Sequence, residues 1–96
     1  MGCQTFSDWR PMPKTIFGGP HTHLVDILKR ARERSGLRQE DVAARLGRDQ
    51  TFVSLIERGQ RRVDVIEFFE IAQALETDPV QLFVELKERI KKDRRR

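Results

Sequence analysis

Arg38-Gln39-Glu40-Asp41-Val42-Ala43-Ala44-Arg45-Leu46-Gly47-Arg48-Asp49-Gln50-Thr51-Phe52-Val53-Ser54-Leu55-Ile56-Glu57-Arg58-Gly59 is the stretch whose reading decides the fold. Val42, Ala43 and Leu46 fall on one face of a short helix from about Gln39 to Leu46, which Gly47 stops. Asp49 is a good N-cap for a second helix beginning at Gln50. That helix turns Val53 and Ile56 inward and runs to about Arg58, before Gly59. Two helices joined over so short a turn meet near a right angle and must approach closely. The small Ala43 suits that contact, and glycine at 47 accepts the positive φ that a side chain would resist. Anchored through Val53 and Ile56, the second helix leaves its N-terminal turn facing outward.

Outward from this centre the helical period continues on both sides. Upstream, Leu24, Ile27, Leu28 and Ala31 share one face and Lys29, Arg30, Glu33 and Arg34 the other, a helix starting near Thr22 that Gly36 ends. Downstream, Asp64 caps a helix with a broad apolar stripe of Val65, Phe68, Phe69, Ala72 and Leu75. Asp78-Pro79 then reads as a cap followed by proline at the first helical position. The fifth helix carries Val80, Leu82, Phe83 and Leu86, and Ile90 extends its stripe. Pairs Glu85–Arg89 and Glu88–Lys92 favour helix into the C-terminal tail. Phe68, Phe69 and Phe83 are expected in the core, whereas Phe52 packs against the turn or touches a ligand's backbone. The segment before Leu24 holds Pro11, Pro13, Pro20 and Gly18-Gly19 and shows no sustained period, so it reads as an irregular arm, although Phe6, Trp9, Ile16 and Phe17 give it apolar character. No strand-like alternation is present. The expectation is an all-α chain: arm 1–22, five-helix body 23–86, basic helical tail 87–96.

Size and composition narrow the function. With 96 residues, 38% of them hydrophobic, the chain holds one small domain rather than a multidomain enzyme. No stretch of about 18 apolar residues spans a membrane, and no secretory signal precedes the body. A single cysteine, Cys3, forms no internal disulfide and points to a reducing, cytoplasmic setting. His21, His23 and Cys3 are metal-ligand types without metal-site spacing. No nucleophile–base–acid arrangement, phosphate loop or pair of catalytic carboxylates occurs, so neither an enzyme, a metal site nor a cofactor is expected. Charge is segregated. Lys29 to Arg62 holds ten basic and five acidic residues, Asp64 to Leu86 six acidic and no basic ones, and the last ten residues seven basic and two acidic. A chain so polarised presents one end to a polyanion.

The Gln39-x-x-x-Ala43, Leu46-Gly47 and Ile56-Glu57-x-Gly59 pieces resemble the helix-turn-helix of phage-repressor-like (Xre/Cro-type) regulators, and the resemblance runs from about Leu24 to Phe83. It implies a five-helix, lambda-repressor-like domain whose third helix lies in the DNA major groove. Residue by residue, it implies base contacts from Gln50, Thr51, Ser54 and Leu55. Glutamine pairs with adenine, and a Thr or Leu methyl packs on thymine. Gln39 binds a phosphate at the start of the second helix, and Arg58, Arg61 and Arg62 bind phosphates beyond the third. Glu57 matches the family's inward glutamate and Arg32 its usual partner, so a structural Arg32–Glu57 bridge is expected. Three departures stand out. Arg38 replaces the usual Ser or Thr cap, removing a side-chain acceptor and adding a phosphate contact. Arg48 replaces an apolar residue beside the expected DNA backbone. Leu55 replaces a long polar or basic residue.

The implied partner is double-stranded DNA, read by a transcriptional regulator that is expected to act as a repressor, with no membrane association. So small a domain makes few base contacts, and a homodimer on two half-sites doubles them; its candidate surface is the fourth and fifth helices, with Trp9 and Phe17 of the arm wrapped across. The rival readings are a protein-interaction adaptor and the antitoxin of a toxin–antitoxin pair, both using the same fold.

Overall fold

A computed structural model describes residues 19–94, so Cys3, the aromatic arm and Arg95-Arg96 lie outside the described residues. Five helices follow: α1 (Pro20–Arg34), α2 (Gln39–Leu46), α3 (Gln50–Glu57), α4 (Val65–Ala74) and α5 (Pro79–Arg94). No strand occurs among the described residues, and none of these helices is long and apolar enough to cross a membrane. α1 begins earlier than the apolar period indicates. Pro20 occupies its first turn, where a missing N–H removes no helical hydrogen bond, so Pro20–Thr22, read as the end of the arm, start the helix.

Local chemistry sets the other boundaries. Arg38 precedes α2 in extended conformation and has no side-chain acceptor, but its own N–H donates to Asp41 Oδ2 at 2.8 Å, half of a capping box. α2 ends in a Schellman motif: Gly47 sits at φ 70°, its N–H donates to the Ala44 carbonyl, and the Arg48 N–H donates to that of Ala43. Asp49 then caps α3, accepting from the Thr51 N–H at 3.2 Å. At the head of α4 both halves of a capping box form: Glu67 N–H to Asp64 Oδ1 at 2.7 Å and Asp64 N–H to Glu67 Oε1 at 3.2 Å. Asp78 accepts from the Val80 N–H at the start of α5.

The core is built where the helices face one another. Ile27, Leu28 and Ala31 of α1 meet Val42 and Ala43 of α2, Phe52, Val53 and Ile56 of α3, Ile71, Ala72 and Leu75 around α4, and Leu82 of α5. Ala43 is 2% exposed, as the close α2–α3 approach requires. The last helix is tied to the first: Arg89 Nη1 donates to Asp26 at 2.8 Å, and His23 meets Asp93 at 2.5 Å. Two core expectations are corrected. Phe69 and Phe83 are 48% and 57% exposed, and Val65 of the same stripe is 78% exposed. The apolar stripes of α4, which packs on α2 and α5, and of α5, which packs on α1 and α4, are wider than the surfaces those neighbours cover, so their outer edges remain exposed.

Candidate nucleic-acid interface

The tight α2–α3 turn brings the first residue of each helix together. Gln39 and Gln50 are joined by a hydrogen bond from Gln50 Nε2 to Gln39 Oε1 at 3.0 Å. Gln39 Nε2 in turn donates to Glu57 Oε1 at 2.9 Å. Glu57 closes the chain by accepting two bonds from Arg32, Nε to Oε2 at 2.6 Å and Nη2 to Oε1 at 3.0 Å. A further bond from Arg32 Nη1 to the Leu37 carbonyl fixes the guanidinium against the α1–α2 loop. The pair is nearly dry, with side-chain exposures of 14% and 7%, and the hydrogen bonds that Arg32 donates to Glu57 raise the arginine's pKa above its ordinary value. A buried ion pair thus orients the Gln39 amide, which orients that of exposed Gln50. Held this way, Gln50 keeps its Oε1 and one Nε2 hydrogen for an outside partner, the acceptor–donor pair that matches adenine's N6 and N7.

Beside Gln50, Thr51 is exposed, and Ser54 and Leu55 are half-buried on the following turn. Cations surround this surface. Arg58, at the end of α3, is exposed and reaches back to the Ser54 carbonyl; Arg62 is exposed in the loop beyond. Arg38 is exposed at the start of α2, where Asp41 and Glu40 carboxylates already flank it. Arg48 and Arg61 are brought together over one ring: their guanidinium carbons lie 4.2 and 4.6 Å from the centre of Phe52, which is buried. Arg61 also forms a two-pronged pair with Glu67, both bonds at 2.9 Å, and Arg48 stands 3.8 Å from the same carboxylate. The Arg61 hydrogen bond is the main reason that Glu67 titrates below the ordinary glutamate range.

A helix turned outward at its N-terminus, an exposed glutamine amide held in register and a ring of arginines describe a surface shaped for duplex DNA. Comparison with known proteins agrees. A family model described as a helix-turn-helix domain matches residues 23–82. The chain belongs to the Xre-type helix-turn-helix family. An uncharacterized HTH-type transcriptional regulator, y4dJ of Sinorhizobium fredii (strain NBRC 101917 / NGR234), is 47% identical over 53 residues, covering 55% of this chain and 69% of that protein. An XRE-family like protein from Pseudomonas syringae pv. tomato str. DC3000 is 43% identical with a TM-score of 0.69, over 72% of this chain and 84% of that one. The restriction-modification controller protein C.Esp1396I, solved as a tetramer in complex with its natural 35 base-pair operator, is 28% identical with a TM-score of 0.70, over 77% and 97% of the two chains. This protein is accordingly a helix-turn-helix transcriptional regulator of Xre type.

Of the two places open to Phe52 in this Xre-type domain, the structure favours packing against the turn, where Arg48 lies over its ring. The sequence reading missed Glu67. The pattern Asp64-x-x-Glu67 announces a capping box and would have placed the Glu67 carboxylate at the loop that carries Arg61. On the fourth and fifth helices, which the sequence offers as a dimer surface, the misplaced Phe69 and Phe83 form with Leu24, Val65, Val80 and Leu86 an apolar groove of about 380 Å³.

Proposed function

We propose that this Xre-type regulator is a sequence-specific, non-enzymatic repressor that acts in the cytoplasm and inserts α3 into the DNA major groove. Gln50, Thr51, Ser54 and Leu55 read base edges, while Gln39, Arg38, Arg48, Arg58, Arg61 and Arg62 contact phosphates. The observation that carries this reading is the Gln50 amide, exposed at the first turn of α3 and held by Gln39 in turn held by buried Glu57. A glutamine fixed this way pairs with adenine at little entropic cost.

The working form is a homodimer joined through the exposed apolar edges of α4 and α5. Val65, Ile66, Phe69, Val80, Phe83 and Val84 are each between 47% and 78% exposed, and Val65, Phe69, Val80 and Phe83 line one groove, the kind of apolar surface that marks an interaction site. The tetrameric, operator-bound state of the controller protein C.Esp1396I supports assembly on DNA.

Selection from random duplexes with the purified protein tests the reading. A recurring two-half-site motif is expected, bound with an affinity that falls linearly with salt on a log–log plot. Gln50→Ala then relaxes the preference at one base pair in each half-site, whereas Arg62→Ala weakens all duplexes alike. Equal weak binding of every duplex, indifferent to Gln50→Ala, would favour a protein-interaction adaptor instead.

A further inference from the structure

Resting on the DNA-binding reading above, we propose that Arg48 and Arg61 form one two-guanidinium site for a single backbone phosphate, with Glu67 and Phe52 as the positioning residues that hold it ready. The two arginines come from different places, the α2–α3 turn and the loop after α3, and meet only because both lie over the Phe52 ring. Glu67 is the fixed point beneath them. Its side chain is 11% exposed, and it is bound into the head of α4 by its reciprocal hydrogen bonds with Asp64. Arg61, set over the ring and forked onto the carboxylate, and Arg48, set over the ring and drawn toward the same carboxylate, lose part of their rotamer freedom before any ligand arrives.

The arrangement leaves capacity for an anion. Arg61 Nη1 donates to Glu67 and to the Arg62 carbonyl, and Nη2 donates to Glu67. Its Nε–H and one Nη2 hydrogen point to no acceptor in these bonds. Apart from the Phe52 ring, the one contact of the Arg48 guanidinium among the described residues is the long one to Glu67, which leaves nearly all five of its donors. The arginine side chains are 45% and 35% exposed, and two cations over one carboxylate leave a net positive charge. A phosphate bound here meets arginines already in place, and each arginine that need not be ordered on binding is worth about two- to tenfold in affinity.

Coulomb's law alone gives the opposite sign for Glu67. Removing a negative charge beside DNA tightens binding about twofold at aqueous screening. The test is therefore Glu67→Gln, in the wild-type background and in Arg48→Ala/Arg61→Ala, titrated against a short mixed-sequence duplex over a salt series, with thermal melts confirming folded protein. In the wild-type background Glu67→Gln is expected to weaken binding about fivefold and to lower the log–log salt slope by about one. In the double-alanine background it is expected to tighten binding instead. Phe52→Leu, which keeps the burial and removes the ring face, weakens binding in the same direction and serves if Glu67→Gln does not fold. Tighter or unchanged binding by Glu67→Gln in the wild-type background overturns the proposal, as does equal weakening in both backgrounds, which would mean that Glu67 acts only through the fold. Failure of the wild-type protein to bind any duplex overturns the DNA-binding reading itself and the phosphate site with it.

Discussion

Glu57→Gln is the substitution that presses hardest on the architecture. It changes shape little and removes one charge from a pair that is almost fully enclosed. The wild-type carboxylate accepts three hydrogen bonds, two from Arg32 and one from Gln39. A glutamine offers a single oxygen to the same donors, and its NH2 group faces the guanidinium. Arg32 is then a buried cation with one partial acceptor and the Leu37 carbonyl. Removing one partner of a buried ion pair costs about 3–5 kcal/mol. The retained acceptors put this case at the low end, about 3 kcal/mol. For a domain of this size each kcal/mol moves the melting midpoint by about 4–8 °C, so a fall of at least about 12 °C is expected.

Urea unfolding followed by far-ultraviolet circular dichroism measures the loss directly. Two controls isolate the cause. Glu40→Gln removes the exposed pair with Arg38 and a first-turn charge of α2 and should lower stability by less than about 1 kcal/mol, since both contributions are small at the surface. Arg32→Met combined with Glu57→Leu removes both charges and should recover most of the stability lost by the single variant. A loss below about 1 kcal/mol for Glu57→Gln, or a double variant no more stable than the single one, would refute the view that charge compensation by Arg32 is what the site requires.

Three further outcomes follow from the same geometry. Gly47→Ala should destabilise by about 1–2 kcal/mol through backbone strain alone, because a Cβ there meets nothing within 4 Å; a melting midpoint equal to wild type would contradict this. Phe69→Glu should weaken self-association at least about tenfold in sedimentation equilibrium while leaving the monomer folded, since it places a charge on the proposed dimer face; unaltered association would move the interface elsewhere. Stability should fall in acid. Asp26 is held below its ordinary pKa chiefly by the Arg89 hydrogen bond and Glu67 chiefly by that of Arg61, so the unfolded chain binds more protons. Their contribution is complete above the unfolded carboxylate range near about 4 and is lost as pH drops through the lower folded values; a melting midpoint that stays flat through that range would contradict it.

Much of the fold was legible because short polar residues and glycines mark helix ends wherever they occur. Gly47, Asp49, Asp64 and Asp78-Pro79 placed the ends of α2 and the starts of α3, α4 and α5 within a residue. Pro20 misled, since proline breaks a helix interior yet favours its first turn, and only the continuing chain decides between the two. Phe69 and Phe83 misled for another reason. A stripe shows that a helix has an apolar face, not whether the rest of the chain is wide enough to cover it. The links at the candidate site divide similarly. Arg32 and Glu57 were expected together through family resemblance, and the structure joins them. The meeting of Arg48 and Arg61 on Phe52 depends on how the loop after α3 folds back over the turn before it, a tertiary contact with no periodic trace.

Two glutamates with enclosed side chains, Glu57 in the last turn of α3 and Glu67 in the first turn of α4, explain how so small a domain can hold α3 in one orientation. Glu57 binds the end of α3 to α1 through Arg32 and to α2 through Gln39. Glu67 binds the loop after α3 to the head of α4 through Arg61 and Asp64, and draws Arg48 of the preceding turn toward the same point. Apolar packing through Val53 and Ile56 sets the depth of the helix but resists rotation about its axis weakly, because dispersion contacts have little directionality. Hydrogen-bonded charges are directional, and each displaced one is left unsatisfied away from water. Rotation of α3 that displaced Gln50 would have to stretch the Gln39–Glu57 bond, and movement of the turn would have to lift Arg48 from Phe52. On the proposed DNA-binding reading, the exposed side chains of α3 and its flanking loops are therefore aligned by two carboxylates that are assigned no DNA contact, and substitutions at Glu57 and Glu67 should alter recognition even where the melting midpoint remains above the assay temperature.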